Sequence, residues 1–333
     1  MTAKKRIVFV INPISGTQGK KAILKWIDER IDRALFDYSI VKTQYAGHAV
    51  EIAAAAAKDN VDIVVAIGGD GTINEIGRSL VHTNTALGII PCGSGNGLAR
   101  HLHIPMDAKA AIDLLNTGEC TCVDYGKIND MPFFCTCGVG FDAFVSLKFA
   151  DSGKRGLLTY LENTLHESLT YEPETYEIEN EEGTIKYKAF LIACANASQY
   201  GNNAYIAPQA SLTDGLMDVT ILEPFTVLDV PSLSFQLFNK TIDQNSRIKT
   251  MRAKKIKIHR TKEGELIPHG LNVIISNKKK EEEPFSLLQQ IVEYFSGLKP
   301  KHEELIKQKY NHLFVLNRHL LRRLSKKIDY IFK

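Results

Sequence analysis

No stretch of this chain approaches the roughly 20 consecutive apolar residues that a bilayer-spanning helix needs. The nearest run, Ile221 to Phe238, is broken by Glu223, Pro224, Asp229 and Pro231. Net charge is scarce as well: 41 Lys and Arg against 38 Asp and Glu leave +3, too little to imply nucleic-acid binding by itself. The segment Met1 to Arg6 runs straight into a β-like stretch without the charged, apolar and small-residue succession of a signal peptide, so a cytoplasmic protein is expected. Its 6 cysteines are then expected to be reduced. Cys120/Cys122 and Cys135/Cys137 are C-x-C pairs without the two-residue spacer of common zinc sites. Strand-like alternation places each pair on one sheet face, as small buried apolar groups. Two nucleotide motifs are missing too. Gly93-x-Gly95-x-Gly97 is not the dinucleotide G-x-G-x-x-G, and no acidic residue stands at the expected distance after a first-strand turn. Gly19-Lys20-Lys21 stands at the wrong distance from Gly16 for a P-loop, and no Ser or Thr follows the lysines.

What is present centres on Gly68-Gly69-Asp70-Gly71-Thr72. Val61 to Ile67 is an apolar, β-branched run of the kind that forms a buried parallel strand. The glycines let backbone N–H groups approach a ligand with no side chains in the way. Thr72 and Glu75 have capping-box spacing ahead of apolar Ile76 and Leu80, which predicts a helix starting there. Strand, glycine turn and helix start together make an anion site of phosphate size. A carboxylate in its middle, Asp70, implies a metal ion beside the phosphates.

At 333 residues, 44% hydrophobic and 24% charged, the chain reads as an ordinary globular protein of two domains. Ile7 to Ile11 is a first strand, ended by Asn12-Pro13-Ile14-Ser15-Gly16. Ile23, Trp26, Ile27, Ile31 and Ala34 share a helical face, Tyr38 to Thr43 is a second strand, and Gly47-His48-Ala49 opens an alanine-rich helix through Lys58. Ala86 to Ile90 is a further strand, and the glycine loop Pro91 to Gly97 after it precedes a helix beginning near Leu98. Ser94 and Asn96 are candidate phosphate donors, and Arg100 and His101 candidate positive charges. Helix capping by Asn96 and plain solvation of Arg100 stay open as the simpler readings. Strand–helix alternation to about Asp124 predicts an open parallel sheet, whose ligands sit beyond the carboxyl ends of the strands. The loops after three strands then converge on one crevice. From Cys120 onward strands dominate: 120–128, 132–139, 174–179, 184–194, 217–221 and 254–259, with helices over 153–169 and 226–238. A mainly β second domain follows, with the cleft between the two bodies.

These residues, in this order, resemble the diacylglycerol kinase catalytic superfamily. That group includes soluble bacterial diacylglycerol and lipid kinases and the sphingosine and ceramide kinases, with NAD kinases and phosphofructokinases more distant. The matching segments are Asn12-Pro13 with Ser15-Gly16, Thr43 before Gly47-His48-Ala49, and Gly68 to Glu75. Further along are Gly88 to Pro91 with Gly93 to Asn96, Asp124 to Lys127, Gly138 to Ala143, and Asp214-Gly215. The resemblance implies an α/β nucleotide domain over 1–124 with an NAD kinase/phosphofructokinase-like parallel sheet, a mainly β lipid-kinase domain over 125–277, and a linker with a helical tail over 278–333. It implies ATP as cofactor, bound by Asn12, Pro13, Ile14, Thr43, Gly68, Gly69, Asp70, Gly71, Thr72, Ile73, Asn74 and Ser94. Asp70 is the implied catalytic holder of Mg²⁺, with Asp124 in the same network. Ser211, Asp214 and Leu216 are implied ligands of a second, structural Mg²⁺, although Ser211 to Gly215 also reads as a plain Asx turn.

Two departures from the family pattern stand out. Gly97 occupies a position that is acidic in several bacterial diacylglycerol kinases and looks closer to the sphingosine kinase version. The family's late Asp-Gly-Glu, whose Asp is thought to deprotonate the lipid hydroxyl, has Glu263-Gly264-Glu265 as its nearest match, so Glu263 is the candidate base. In the other reading, Ile267 to Val273 is a segment from well downstream of that motif and the base-bearing strand is missing. In the tail, Leu313, Leu316, Leu320, Leu324, Ile328 and Ile331 recur at helical spacing, with Arg318, Arg322, Arg323, Lys326 and Lys327 between them. Such a basic amphipathic helix lies on an anionic membrane surface, here the inner face, or packs on the protein or on a second subunit as a homodimer. The expected activity is phosphoryl transfer from ATP to a lipid alcohol, with diacylglycerol as acceptor. A sphingoid or ceramide kinase, and a catalytically impaired nucleotide- or lipid-binding homologue, are the alternatives.

Overall fold

The computed structural model describes residues 4–13, 19–141, 171–226, 228–259 and 269–275, the last by backbone alone. Ile14, Ser15-Gly16, the 153–169 helix, Glu263 and the tail from 278 lie outside the described residues. The chain divides after Lys280, and every described residue belongs to the unit Met1–Lys280. Among the described residues, no helix is long and apolar enough to cross a membrane.

The first half alternates as expected: β1 (Lys5–Ile11), α1 (Lys20–Arg30), β2 (Phe36–Lys42), α2 (His48–Lys58), β3 (Ile63–Gly68), α3 (Asp70–Leu80) and β4 (Ala86–Pro91). The short α4 (Gly97–His101) and then α5 (Ala108–Thr117) follow, two helices where one was read. Strands β2, β1, β3 and β4 lie in that order and run parallel. Every residue of β3 and β4 is buried, which is why both appear in the sequence as unbroken apolar runs rather than alternating ones. Ile23 and Ile27 of α1 and Ile73, Ile76 and Leu80 of α3 cover the sheet, each full burial contributing about 1.5–3 kcal/mol.

The sheet is completed from much later in the chain. Strand β5 (Glu119–Ile128) pairs antiparallel with β14 (His269–Ile275), and β14 lies parallel beside β4. With β6 (Met131–Phe133) beyond β5, the sheet has 7 strands in the order β2-β1-β3-β4-β14-β5-β6. Two antiparallel sheets make up most of the rest. One contains β7 (Thr136–Gly140), β10 (Leu191–Ala195), β11 (Met217–Leu222) and β12 (Ile248–Ala253). The other contains β8 (Glu174–Asn180), β9 (Gly183–Ala189) and β13 (Lys257–His259). Tyr176 and Ile178 of β8 pack with Ile192, Val219 and Ile221 across the space between these sheets. The helix α6 (Val230–Phe238) joins a third cluster with Phe141, Phe190 and Ile248.

Several local expectations change. The helix begins at Asp70, with Gly69 as its cap residue, so Thr72 is already inside the first turn and makes no capping box with Glu75. The 132–139 run is two strands in different sheets, turning at Phe134-Cys135. The 184–194 run is likewise two, with Phe190 at the switch: its amide donates to Leu222 O at the end of β11, the strand beside β10. Strand β12 was not read, and the 254–259 run shrinks to β13. Cys120 and Cys122 are exposed and Cys135 and Cys137 half-buried, so the pairs are not the buried apolar groups their alternation suggested.

Candidate functional site

The carboxyl ends of β1, β3 and β4 deliver three loops to one edge, and the loops touch. Asn12 Nδ2 donates to Thr72 Oγ1 at 3.4 Å, and the Asn12 amide to Ile67 O at 3.3 Å. The Cys92 amide donates to Gly68 O at 2.8 Å. The buried Thr43, one residue past β2, is tied in by its amide to Ile11 O at 3.0 Å. The predicted positions Asn12, Pro13, Thr43, Gly68 to Asn74 and Ser94 therefore converge, with Ser94 exposed.

Most glycines here serve loop-to-loop contact. A Cβ on Gly93 would meet Gly69 Cα at 2.5 Å, and one on Gly201 would meet the Gly95 carbonyl carbon at 2.6 Å. A Cβ on Gly68 would meet Thr72 Oγ1 at 2.5 Å. Gly71 differs, because nothing lies within 4 Å of the position its Cβ would take. Ile73 is a core residue whose amide already bonds Gly69 O at 3.1 Å, so the donors left to a ligand are the earlier amides of the turn. Asn74 Oδ1 is buried and without a hydrogen bond.

Asp70 sits between the two glycine loops. The Asn96 amide donates to its Oδ2 at 2.8 Å, and the amides of Gly97 and Leu98 also stabilise the carboxylate. Asp70 thus caps α4 from a different loop. The Asn96 side chain makes no cap of its own; its Oδ1 accepts from the Gly93 amide and its Nδ2 donates to Gly93 O, both at 2.9 Å. Burial pushes the Asp70 carboxyl above its ordinary value, against the pull of those amides. The other oxygen, Oδ1, is buried and bears no hydrogen bond, and a hard anionic oxygen left open in this way fits a Mg²⁺ ligand.

The segment after β10 backs the second glycine loop. A Cβ on Gly97 would meet Cys135 Sγ at 2.8 Å and Gln199 O at 3.0 Å, so an acidic side chain has no room at this position. His101 is not a positive charge. Its Nδ1 accepts from the Ser198 amide at 3.0 Å and touches Ser198 Oγ at 2.8 Å, which places the proton of the neutral ring on Nε2. Burial pushes its pKa down to about 4. Arg100 Nε donates to Gly95 O at 3.1 Å and so holds the loop.

Asp124 and the 211–216 turn also meet. The Gly215 amide donates to Asp124 Oδ2 at 2.7 Å, and the Asp124 amide to Leu212 O at 2.6 Å. Asp214 Oδ1 accepts from the Leu216 amide at 3.0 Å as an Asx turn, and Ser211 Oγ contacts Thr213 Oγ1 at 3.3 Å. Arg252 lies over this turn, 3.7 Å from Asp214 Oδ2 and 3.0 Å from Asp218 Oδ1. Among the described residues, no three His, Cys, Asp or Glu side chains cluster as a metal site.

Sequence reasoning passed over Lys20. Its ammonium hydrogen-bonds the Cys92 thiol, just past β4, and burial lowers its pKa. The glycine–lysine pair was the available signal, set aside because it lacks P-loop spacing.

Residues 6–128 match the diacylglycerol kinase catalytic domain, and residues 135–272 match the YegS C-terminal NAD kinase beta sandwich-like domain. A diacylglycerol kinase of Bacillus subtilis is 30% identical over 224 residues, 66% of this chain and 74% of that one. The chain belongs to the diacylglycerol kinase catalytic family. Within this kinase family, a diacylglycerol kinase of Staphylococcus saprophyticus is 27% identical over 309 residues, covering 92% of this chain and 100% of its own. A diacylglycerol kinase structure from Bacillus anthracis shares the fold, with a TM-score of 0.65 at 20% identity over 83% of this chain and 98% of that one.

Proposed function

We propose that this protein is an ATP- and Mg²⁺-dependent lipid kinase, transferring the γ-phosphoryl group to a lipid hydroxyl, with diacylglycerol as acceptor and phosphatidic acid as product. The observation that carries the reading is Asp70. It is a buried carboxylate at the meeting of two glycine loops, with one oxygen engaged by the Asn96 amide and the other open. Membership of the family supports the class of reaction.

In this reading the amides at the start of α3, with Asn12, Thr43 and Ser94 around them, bind and orient the triphosphate. Asp70, with its open carboxylate oxygen, and Asp124 would hold Mg²⁺, which would supply neutralisation of charge on the phosphates. Ser211, Asp214 and Leu216 offer hard oxygen donors for a second Mg²⁺ that steadies the turn. The lipid hydroxyl oxygen bonds to the γ-phosphorus, the bond from phosphorus to the bridging oxygen breaks, and ADP leaves. Glu263 is the proposed acceptor of the hydroxyl proton. The basic tail is the proposed contact with an anionic membrane surface.

The test is transfer of label from γ-labelled ATP to a lipid panel in mixed micelles, comparing wild type, Asp70→Ala and Glu263→Gln. Labelled phosphatidic acid from wild type and none from Asp70→Ala is the expected result. ATP binding without any labelled lipid would overturn the kinase reading, and full activity in Glu263→Gln would remove Glu263 as base.

A further inference from the structure

Tyr45 stands apart from the machinery above. It is one of the few large hydrophobic side chains left open among the described residues, 54% exposed, yet it is held rigidly. One face of its ring stacks on His48, with centroids 4.5 Å apart and planes 10° from parallel. Its hydroxyl donates to Glu51 Oε2 at 2.7 Å. His48 is fixed in turn, because its Nδ1 accepts the Gln44 amide at 3.1 Å. The Tyr45 carbonyl accepts the His48 amide at 3.3 Å, and Gly47 turns the chain at φ +86° into α2. A ring covered on one face and still half-exposed presents the other face to solvent.

The position gives that open face a use. Tyr45 lies in the loop leaving the carboxyl end of β2, two residues past Thr43, whose amide ties the loop to the end of β1 beside Asn12. Ligands of open parallel sheets bind at this edge. A flat ring pinned at both ends loses little entropy when a second flat ring lies on it, and its polar surroundings (Gln44, His48, Glu51) suit a heteroaromatic base better than an acyl chain.

We infer that Tyr45, backed by His48, is the stacking platform for the purine base of the nucleotide. This rests on the nucleotide reading of the site and adds what recognises the base rather than the phosphates. Tyrosine is then a specificity residue, acting on affinity for the nucleoside part and not on the phosphate cradle.

The experiment is calorimetric titration of wild type, Tyr45→Ala and Tyr45→Trp with ATP and, separately, with inorganic tripolyphosphate, after thermal melts of the ligand-free proteins. Removing the ring should weaken ATP on the order of tenfold to a hundredfold and leave tripolyphosphate unchanged, and Tyr45→Trp should retain ATP binding. Unchanged ATP affinity in Tyr45→Ala overturns the inference. So does an equal loss of ATP and tripolyphosphate, which marks Tyr45 as part of the loop's scaffold. A wild type that binds ATP no more tightly than tripolyphosphate overturns it too, while leaving the phosphate site standing. A wild type that binds neither overturns the nucleotide reading and this inference together.

Discussion

Asp70 and Asn96 belong to different loops, 26 residues apart, and are joined by a 2.8 Å bond from the Asn96 amide to Asp70 Oδ2. The start of α4, for which the Asn96 side chain was the candidate cap, is completed instead by this carboxylate. Its removal leaves buried amides at the start of α4 without an acceptor, at a cost of about 1–3 kcal/mol. Asp70→Ala should therefore lower the unfolding free energy in urea by that amount without nucleotide or Mg²⁺, and by more with them. A variant as stable as wild type would show that Asp70 does not hold the second loop.

Gly93 and Gly71 should behave oppositely. Alanine at Gly93 presses on the backbone of Gly69, which has no flexible side chain to move, and should destabilise by about 1–3 kcal/mol. Alanine at Gly71 meets open space inside a helix and should leave stability equal or higher by up to about 1 kcal/mol. Because that space is where the triphosphate is proposed to lie, Gly71→Ala should still lose ATP affinity. Thermal melts and ATP titrations on both variants distinguish these outcomes.

His101 predicts a pH dependence of stability. Its pKa is about 4 in the folded protein against an ordinary 6.5, so between these values the unfolded chain binds the additional proton. The contribution is fully present above pH 6.5 and is lost as pH falls toward 4, on the order of 3 kcal/mol in all. Urea unfolding at several pH values, wild type against His101→Asn, should show this part of the slope vanish in the variant. Parallel slopes would contradict the buried neutral ring.

Lys20 should matter for nucleotide affinity and little for folding. Its ammonium hydrogen-bonds the Cys92 thiol, and the Cys92 amide bonds Gly68 O, so Lys20 stands next to the two glycine loops proposed to hold the phosphates. Loss of one charge-assisted hydrogen bond there corresponds to about tenfold or more in ATP affinity. Lys20→Met should show that loss in a calorimetric titration with its melting temperature held, and Lys20→Arg should lose less.

The strand and loop order of the first sheet was legible because buried parallel strands are written as apolar runs, Ile63–Gly68 and Ala86–Pro91 above all. The convergence of the Asn12, Gly68 and Ser94 loops followed from their place at one set of strand ends. Other features depend on contacts between distant segments, which a single sequence does not display. Glycine signals freedom to turn, so the Gly69–Gly93 approach was hidden behind it. Nothing around Phe190 breaks the 184–194 run, so the change of sheet there left no mark. Cys120 and Cys122 alternate like buried residues, but exposure depends on what covers the face. The burial of His101 depends on Ser198, 97 residues later. β14 was not read as a strand at all, and nothing local marks its slot between β4 and β5.

The most direct test of the central claim is calorimetric titration of ATP, with and without Mg²⁺, into wild type and Asp70→Asn. The asparagine keeps the size of the side chain and an acceptor for the Asn96 amide while removing the charge. The account predicts Mg²⁺-dependent ATP binding by wild type and its loss in a variant that remains folded. Equal, Mg²⁺-independent binding by both proteins would contradict it.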